Sequence, residues 1–440
     1  MREVYKVIYL VIAFQICSVG LSNAVELSFG HNAYEVVSIE PEASTGLEKI
    51  YVLHDLSGVE MSYMPQSDGA NVEWSRFDES GGGYAVPVTG VTFDGMKYTL
   101  QNPEGNCGYI INENNRQYCF WLVDYSRYQF SINAISFPDM QDCGVATLEV
   151  DAQCELIMFY TINGVPQELD RQIMISYNTL EWDEENLLYN QKEVELSYEN
   201  ISERVVLTAP LCNTEFVISG DRFLKEWNEE RSLVSGTYET ISIEIQATAT
   251  QTIRENDNEQ KDESSELGGS APVEIEFQSY CTDAVAHKEW MIARDAEFTD
   301  VDLRLNEDDI THIFQENGTF YVKFVGSNAD GTCVTESEVF QVSVGESALD
   351  CPNAFSPNAT EGVNDEWKVS YKSIVSFSCW IFDRYGNQMC SFTDPAMGWD
   401  GKYKGKFVKP GVYYYVIEAL GADGKEYKLK GDINILKSSK

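Results

Sequence analysis

Short runs of apolar residues recur along the chain, and Gly, Asn, Asp and Pro separate them. Residues 46–53, 118–125 and 319–325 are rich in β-branched and aromatic side chains, which favour strands. In other runs apolar and polar residues alternate, as expected for a strand with one buried face. The turn residues that end each run fit short strands joined by tight loops. The pattern therefore predicts an all-β protein.

A chain of 440 residues is too long for one β domain of ordinary size, so we expect about three to five. The spacing of the strands fits tandem immunoglobulin-like β-sandwiches, with Trp74 and Trp121 in the first core and not on a ligand platform. The predicted division is a sandwich at 25–125, a second at 126–211, a smaller β segment at 212–270, a third sandwich at 271–346 and a small terminal β-sandwich at 351–440.

The composition changes sharply after residue 253. Before it, alternation over residues 237–252 predicts one long strand that carries Ile241, Ile243, Ile245 and Ala247 on one face. Residues 254–266 then contain no large apolar side chain, which is typical of a flexible linker or of a long exposed hairpin loop. We expect the loop, with the strand before it and the strand at 273–277 in adjacent sandwiches.

The turn signals are most specific after residue 351. Stretches rich in Pro, Asn and Gly at 352–358 and 361–367 exclude a helix. Residues 377–382 and 388–392 flank Asp383-Arg384-Tyr385-Gly386-Asn387, where Gly and Asn tolerate the positive φ of a tight hairpin. A Pro-Gly turn begins the strand that follows residue 411, and a second hairpin turns at 422–425. These features predict a compact β module.

In order, these motifs resemble the gliding motility-associated C-terminal domain, the type B sorting domain of the Bacteroidetes type IX secretion system. The residues that carry the resemblance are Pro352, Asn353, Phe355, Pro357, Asn358, Gly362, Asn364, Asp365, Trp367, Arg384, Gly386, Asn387, Trp399, Asp400, Gly401, Gly405, Gly411, Tyr413 and Tyr414. The loop at 357–365 departs from the family pattern, because it is one residue longer and lacks the first Gly. The resemblance implies a β-sandwich, export across the outer membrane and contact with the type IX secretion machinery.

Residues 271–346 resemble the PKD-like and related immunoglobulin-like repeats that often precede such sorting domains. A Trp strand at 288–292, the run at 318–325 and an Asn-Ala-Asp-Gly turn at 328–331 carry this resemblance. The Gly-Asp-Gly turn typical of PKD domains is absent. The resemblance implies a fold and not an activity.

The first 24 residues have the features of a signal peptide. Arg2 and Lys6 precede an apolar stretch at 7–19, and Ser22-Asn23-Ala24 supplies small residues for cleavage before Val25. Lipid attachment at Cys17 is the alternative, and the bulky residue before that cysteine disfavours it. No later segment has the roughly 18 apolar residues of a membrane span. We expect a protein that is secreted or displayed on the outer-membrane surface.

Without residues 1–24 the chain has 29 basic and 70 acidic side chains, a net charge of 29 − 70 = −41. Such a charge disfavours binding to nucleic acids and to anionic membrane surfaces. A solvated acidic surface explains it more simply than a cation-binding role does.

Ten cysteines remain once Cys17 is set aside, and an even number in an exported chain favours disulfides over metal sites. The candidate pairs are Cys107 with Cys119 and Cys379 with Cys390, each bracketing a hairpin, and Cys154 with Cys212 and Cys281 with Cys333, each within one sandwich. Each of the two longer-range bonds, Cys154–Cys212 and Cys281–Cys333, would contribute roughly 2–4 kcal/mol. Cys143 and Cys351 have no evident partner. Buried free thiols are the alternative, above all in the hairpins.

Motifs for catalysis or for cofactor binding are not evident. His54 and His287 lie beside no candidate nucleophile and are interpreted as structural. The acidic residues at 300–302 and 307–309 lack the spacing and the Gly of a calcium loop. We therefore predict a non-enzymatic multidomain protein, without cofactor or metal, that binds an extracellular protein or glycan or has a structural role. A secreted hydrolase with an unrecognised site in the N-terminal sandwiches is the alternative.

Overall fold

In the computed structural model, the described residues are 25–261, 267–357, 362 and 364–436. The predicted signal peptide, including Ala24, and Asn358 of the terminal motif lie outside them. Within the described residues the secondary structure is almost entirely strand, with one short α-helix at Arg222–Glu226 and 3-10 turns at Ala43–Thr45, Gly82–Tyr84 and Tyr125–Arg127. The prediction of an all-β protein is confirmed.

The first sandwich consists of two facing sheets. Its strands are β1 (Leu27–Gly30), β2 (Val37–Ile39), β3 (Lys49–Leu53), β4 (Glu60–Tyr63), β5 (Val72–Phe77), β6 (Val86–Pro87), β7 (Thr92–Phe93), β8 (Tyr98–Gln101), β9 (Cys107–Glu113) and β10 (Arg116–Asp124). One sheet has the order β1-β4-β8-β7 and the other β2-β3-β10-β9-β5-β6. Tyr63, Trp74 and Tyr109 pack in the core between them.

Strand β10 is buried on both faces, which explains its nearly continuous apolar sequence. Tyr118, Phe120 and Leu122 pack in the first core. Trp121 and its alternate neighbours on β10 pack instead in a core shared with the second sandwich. Trp121 is 1% exposed, so its predicted core position is confirmed. The first two sandwiches therefore form one packed unit.

The second sandwich extends further along the chain than predicted. Its strands are β11 (Phe130–Ser136), β12 (Val145–Cys154), β13 (Met158–Tyr160), β14 (Pro166–Glu168), β15 (Ile173–Asp183), β16 (Leu188–Tyr198), β17 (Arg204–Thr208), β18 (Val217–Gly220) and β19 (Arg231–Val234). The sheets are β11-β12-β17, β16-β15-β18-β19 and the pair β13-β14. Ile218 and Phe223 are buried in this core, so a boundary at residue 211 cuts through the domain.

The third sandwich begins at residue 245. Its strands are β20 (Ile245–Gln251), β21 (Gly268–Gly269), β22 (Val273–Cys281), β23 (His287–Ala293), β24 (Val301–Leu305), β25 (Ile310–Phe314), β26 (Gly318–Ser327), β27 (Val334–Glu336) and β28 (Phe340–Val344). They form the sheets β20-β22-β25 and β21-β28-β26-β23-β24, with β27 beside β26. The core contains Phe277, Trp290 and Phe324.

The single long strand predicted over 237–252 is wrong. Tyr238 is buried in the core of the second sandwich, whereas Ile245 starts a strand of the third, so the chain crosses between domains within the alternating run. Strands β20 and β22 pair antiparallel in one sheet. The described part of the acidic segment therefore belongs to the long connection of a hairpin, as we expected, but both strands lie in the same sandwich and not in adjacent ones.

The terminal module contains β29 (Ala348–Asp350), β30 (Ala354–Phe355), β31 (Ser370–Lys372), β32 (Ile374–Phe382), β33 (Gln388–Phe392), β34 (Lys402–Tyr403), β35 (Lys406–Phe407), β36 (Gly411–Gly421) and β37 (Glu426–Ile435). Its main sheet has the order β30-β37-β36-β32-β33, and the pairs β29-β31 and β34-β35 accompany it. The hairpins predicted at 383–387 and 422–425 are confirmed by the pairs β32-β33 and β36-β37.

A buried ion pair of the second sandwich contacts the first sandwich through Tyr125. Arg171 and Asp221 are both fully buried, with 2.7 Å between Nε and Oδ2. The hydroxyl of Tyr125, which directly follows β10, donates to the same carboxylate oxygen at 2.8 Å. The other oxygen of Asp221 accepts from the first amides of the short helix, Phe223 N and Leu224 N. Each polar group of this cluster has a partner, as burial of charge requires.

None of the four predicted cysteine pairs forms a disulfide. The structure contains a bond between Cys143 and Cys333, residues 190 apart in sequence, which joins the second sandwich to the third. Cys281 is therefore not bonded to Cys333. The other eight described cysteines are free thiols: Cys107, Cys119, Cys154, Cys212, Cys281, Cys351, Cys379 and Cys390.

Strand register explains why the hairpin cysteines do not pair. Cys107 lies opposite Leu122, and Cys119 lies opposite Ile110. Since positions 119 and 122 are three apart on one strand, the two thiols point to opposite faces of the sheet. Cys379 lies opposite Phe392, so it faces Cys390 only diagonally. Burial raises the pKa of Cys107 and of Cys119 to about 11, as expected for inert core thiols.

The buried ion pair gives a first prediction. Arg171→Met leaves the Asp221 carboxylate buried without its cation and should lower the free energy of unfolding of the first two sandwiches by about 3–5 kcal/mol. Urea unfolding of the full chain, followed by tryptophan fluorescence, measures this.

Combining Arg171→Met with Asp221→Asn should recover part of the loss, since Asn still caps the helix. Lys192→Met, which breaks the exposed pair with Glu181, is the control and should cost under about 1 kcal/mol. Equal losses for the two single variants would contradict the assignment.

Candidate functional site

The two tryptophans of the terminal motif are core residues. Trp367 and Trp399 are 0% and 1% exposed, and their backbones exchange hydrogen bonds of 2.9 and 3.0 Å. The indole of Trp367 donates to the Pro352 carbonyl at 2.6 Å, and that of Trp399 donates to the Lys402 carbonyl at 3.0 Å. Motif positions far apart in sequence are therefore held together by two buried rings.

Acidic and small residues of the motif shape its turns. The Asp383 carboxylate accepts from Tyr385 N and from both the backbone and the side-chain amide of Asn387, at 2.8–2.9 Å. The Asn387 side chain lowers the pKa of Asp383. Gly386 has a φ of 82°, which the turn requires. Arg384 has no such role in the turn, and its guanidinium lies over the exposed Tyr385 ring.

The remaining motif residues fix the first loops onto the main sheet. The Asn353 carbonyl accepts from Asn434 N at 2.9 Å, and Phe355 pairs with Ile435. Asp365 accepts from the Gly362 amide at 2.6 Å, and the Asn364 carbonyl accepts from Ser356 N.

Glycine is required where the loops meet most closely. A Cβ on Gly401 would lie 2.9 Å from Pro357, at a φ of +72°. The Asp400 carboxylate accepts from Lys402 N. Gly405 turns the short hairpin between β34 and β35 at a φ of 79°. At Gly411, which begins β36, the φ is 151°. The motif is thus mainly a folding signature.

One motif dipeptide combines a core and a surface position. Tyr413 points into the core and is 9% exposed, whereas Tyr414 points outward and is 46% exposed. The two residues lie on successive positions of β36, so they face opposite sides of the sheet. The motif residue Tyr414 is therefore available for contact.

The acidic segment that follows the strand β20 lies against the terminal module. Residue Glu259 forms a parallel bridge with Tyr371 on the strand β31, and the amide group of Asn258 donates to the Val369 and Pro395 carbonyls, each at 2.8 Å. Burial raises the pKa of Tyr371 to about 12, so its hydroxyl stays protonated. An edge strand of the module is thereby covered by the preceding domain.

Backbone contacts extend this interface at the other end of β31. Asn317 N donates to the Ala422 carbonyl at 3.0 Å, and Ala422 N donates to the Ser373 carbonyl at 2.9 Å. The Ser373 and Ser270 hydroxyls each accept an amide hydrogen bond across the junction. The terminal module is thus docked onto the third sandwich and is not joined to it only through a linker.

A cleft of about 490 Å³ lies between the first two sandwiches, and His54, Tyr128 and Glu229 line it. The rings of His54 and Tyr34 stack at 3.9 Å. The Tyr34 hydroxyl donates to Glu229 at 2.8 Å, and this hydrogen bond is the main cause that lowers the pKa of Glu229. Sequence analysis missed this cluster, because its members are up to 195 residues apart and each is unremarkable in its own segment.

The other chemically suggestive residues have structural partners. His287 Nε2 lies 3.2 Å from the Ala329 carbonyl. Asp302 is paired with Arg294, and Asp308 with Lys288. Asp302 and Asp308 therefore take part in the ion pairs of a solvated surface.

Two segments of the chain match known families. Residues 136–235 match the fibronectin type III domain, and residues 349–435 match the CHU_C type IX secretion signal domain. Residues 349–435 are a type IX secretion signal domain. The resemblance of the terminal motif to a sorting domain is confirmed, and the second sandwich is a fibronectin type III-like domain. The signal domain implies export to the cell surface or the extracellular space and interaction with the type IX machinery.

No curated protein matches this chain. Among solved structures, a tetra-tandem repeat in the extending region of a large adhesion protein is 10% identical, with 87% of this chain and 96% of that chain covered and a TM-score of 0.23. Three N-terminal domains of the bacteriophage RB49 Highly Immunogenic Outer Capsid protein are 10% identical, covering 70% and 100%, with a TM-score of 0.23. Dimeric latent PorU from Porphyromonas gingivalis is 11% identical, covering 74% and 36%, with a TM-score of 0.15.

The signal domain differs from the preceding domains in charge. Residues 25–350 carry 60 acidic and 17 basic side chains, whereas residues 351–440 carry 10 acidic and 12 basic ones. The large negative charge of the chain therefore resides outside the signal domain. Among the described residues, no helix is long and apolar enough to cross a bilayer.

The docked segment gives a second prediction. Asn258→Asp replaces the amide group that donates to two carbonyls by an acceptor, so both carbonyls lose their donor. The variant should lose about 1–3 kcal/mol of stability at this junction and should be cleaved faster by trypsin near residue 254. Thermal unfolding and limited proteolysis of the full chain measure this. Asp257→Asn, which removes only an exposed pair with Lys368, is the matched control and should change stability by under about 1 kcal/mol. Identical digestion of both variants would contradict the docking role.

Proposed function

We propose that this protein is a non-enzymatic binding protein of the cell surface, delivered by its type IX secretion signal domain. The observation that carries the proposal is the match of residues 349–435 to that signal domain. In this proposal residues 25–346, here called the body, are the cargo that acts outside the cell. The body binds an extracellular protein or glycan.

The rigidity of the body supports a binding role. The shared core and the hydrogen bond from Tyr125 to the Asp221 carboxylate hold the first two sandwiches together, and the Cys143–Cys333 bond attaches the second to the third. A ligand site between domains keeps its shape only if the domains keep their relative positions. Fixed domains reduce the entropy lost when a ligand binds.

The cleft at Glu229 is the ligand site that we favour. Gln129, Gln153 and Arg231 line it together with His54 and Tyr128. Planar polar groups beside aromatic rings suit a glycan, whose hydroxyls form hydrogen bonds and whose ring faces pack on aromatic side chains. Because the pKa of Glu229 is lowered, its carboxylate is ionised at neutral pH and accepts hydrogen bonds.

A secreted hydrolase is the second candidate function. The observation that favours it is the convergence of His54 Nε2 and Glu229 Oε2, 3.4 Å apart, in the same cleft. A glycosidase acid, however, needs a raised pKa in order to hold its proton near neutral pH, and the pKa of Glu229 is lowered. The arrangement therefore supports binding over hydrolysis.

Ligand binding gives a third prediction. Full-length protein applied to an array of bacterial and host surface glycans should bind a subset, and Glu229→Gln should weaken that binding at least fivefold, because an ionised acceptor is lost. Glu230→Gln changes the neighbouring exposed carboxylate and serves as the control. Mass spectrometry of the bound glycans distinguishes the two functions, since cleaved glycans would establish the hydrolase. Unchanged binding by Glu229→Gln would exclude this cleft as the site.

Export gives a fourth prediction. Deletion of residues 351–440 in a cell with type IX secretion should abolish surface exposure and leave the body folded in the periplasm. The body should remain folded because its cores consist of residues before 351, apart from the partly buried Val375 and Ala422. Protease accessibility on intact cells measures exposure, and circular dichroism of the purified truncation measures folding. Surface display of the truncation at the level of the full chain would contradict the role of the signal domain.

A further inference from the structure

The main sheet of the signal domain has an apolar patch on its outer face. Strand register places the large side chains in contact: Trp380 lies opposite Val416, and Phe382 lies opposite Tyr414. Val412 is the next outward residue of β36. These five residues are the outer-face patch. Val412, Tyr414 and Val416 are 44%, 46% and 39% exposed.

An antiparallel sheet with one buried face normally presents polar side chains to solvent. The strand β37 follows this rule, because its outward positions opposite the patch are Asn434, Asp432 and Lys430. On the other side, Ser391 of β33 lies opposite Trp380. The patch is therefore an apolar centre with a polar margin, the arrangement of a protein interface.

The other described residues of the chain leave this face uncovered. The inner face of the main sheet forms the domain core around Ile417 and Trp399. The edge strand β31, in the other layer, is covered by residues 258–260 of the third sandwich. The patch residues have the exposed fractions given above when every described domain of the chain is present. The outer face is thus the broad sheet surface that remains for a partner.

We propose that the outer-face patch is the surface by which the type IX export machinery binds this protein, a proposal that rests on the proposed function. The partner is a machinery protein with an apolar surface whose margin is acidic opposite Lys430 and polar opposite Asp432 and Asn434. The charge distribution favours this choice. An acidic partner is repelled by the body, with 59 acidic and 17 basic side chains, but not by residues 351–440, with 10 acidic and 12 basic ones.

The test replaces the apolar surface and keeps the strand. Tyr414→Thr with Val416→Thr retains high β propensity and removes the aromatic and aliphatic groups. Val206→Thr with Val234→Thr is the matched control, since these residues are 55% and 51% exposed on strands of the second sandwich. Each full-length variant is expressed in a type IX-competent cell, and its surface fraction is measured by protease shaving. The melting temperature of each purified protein reports folding.

We expect the patch variant to melt within a few degrees of the wild type and to show at least a tenfold lower surface fraction, with the control unchanged. Export of a folded patch variant at the wild-type level would overturn the proposal. A second result would also overturn it: light scattering shows that the wild type is a dimer and the patch variant a monomer, while the patch variant is exported normally. In that case a second copy of the chain would occupy the face.

Export of the wild type by cells that lack the type IX system distinguishes failure of the proposed function from failure of the outer-face proposal. If the wild-type protein is exported equally well by cells that lack the type IX system, the signal domain does not direct export and the proposed function fails with it. If wild-type export depends on that system and the patch variant is exported by it equally well, only the assignment of the outer face fails. If the double patch variant does not fold, Val416→Thr alone replaces it in the test. The same two outcomes then apply, and the expected decrease in surface fraction is about threefold.

Discussion

The contact between the first two sandwiches is centred on one buried carboxylate, that of Asp221. The Arg171 guanidinium is removed from water, so the Asp221 carboxylate must stay beside it. That carboxylate also accepts from the Tyr125 hydroxyl and caps the only α-helix among the described residues. Trp227, at the end of that helix, donates to the Glu35 carbonyl in the first sandwich. A single carboxylate of the second sandwich thus orients both the helix and the tyrosine that lie at the contact with the first sandwich.

This constraint changes how the tandem domains behave. Domains joined only by linkers move independently. Here each junction is stabilised by a different kind of interaction. A shared core and the Tyr125–Asp221 hydrogen bond stabilise the first junction, the Cys143–Cys333 bond stabilises the second, and the Asn258 amide with neighbouring backbone hydrogen bonds stabilises the third. The secretion signal domain is consequently presented at a fixed position relative to its cargo.

Local features of the fold were predictable, because short-range chemistry determines them. The turn at Asp383–Asn387 needs only its own five residues, and the two-sided burial of β10 is visible in its apolar run. Long-range pairing was not predictable. Several cysteines lie at plausible sequence spacings from Cys333, and only the docking of two domains brings Cys143 next to it. The cleft residues Tyr34, His54 and Glu229 meet for the same reason. The boundary at residue 211 failed because a strand's sequence does not reveal which sheet it joins.

The division of charge between cargo and signal domain has a physical rationale. A body with 59 acidic and 17 basic side chains remains soluble outside the cell and repels other copies of itself. The same charge on the signal domain would oppose its docking through Asn258 and Glu259, which come from the acidic segment of the third sandwich. A nearly balanced signal domain, with Lys368 facing Asp257, can accept that segment. It therefore stays attached to an acidic cargo on one side while its outer sheet face remains open on the other.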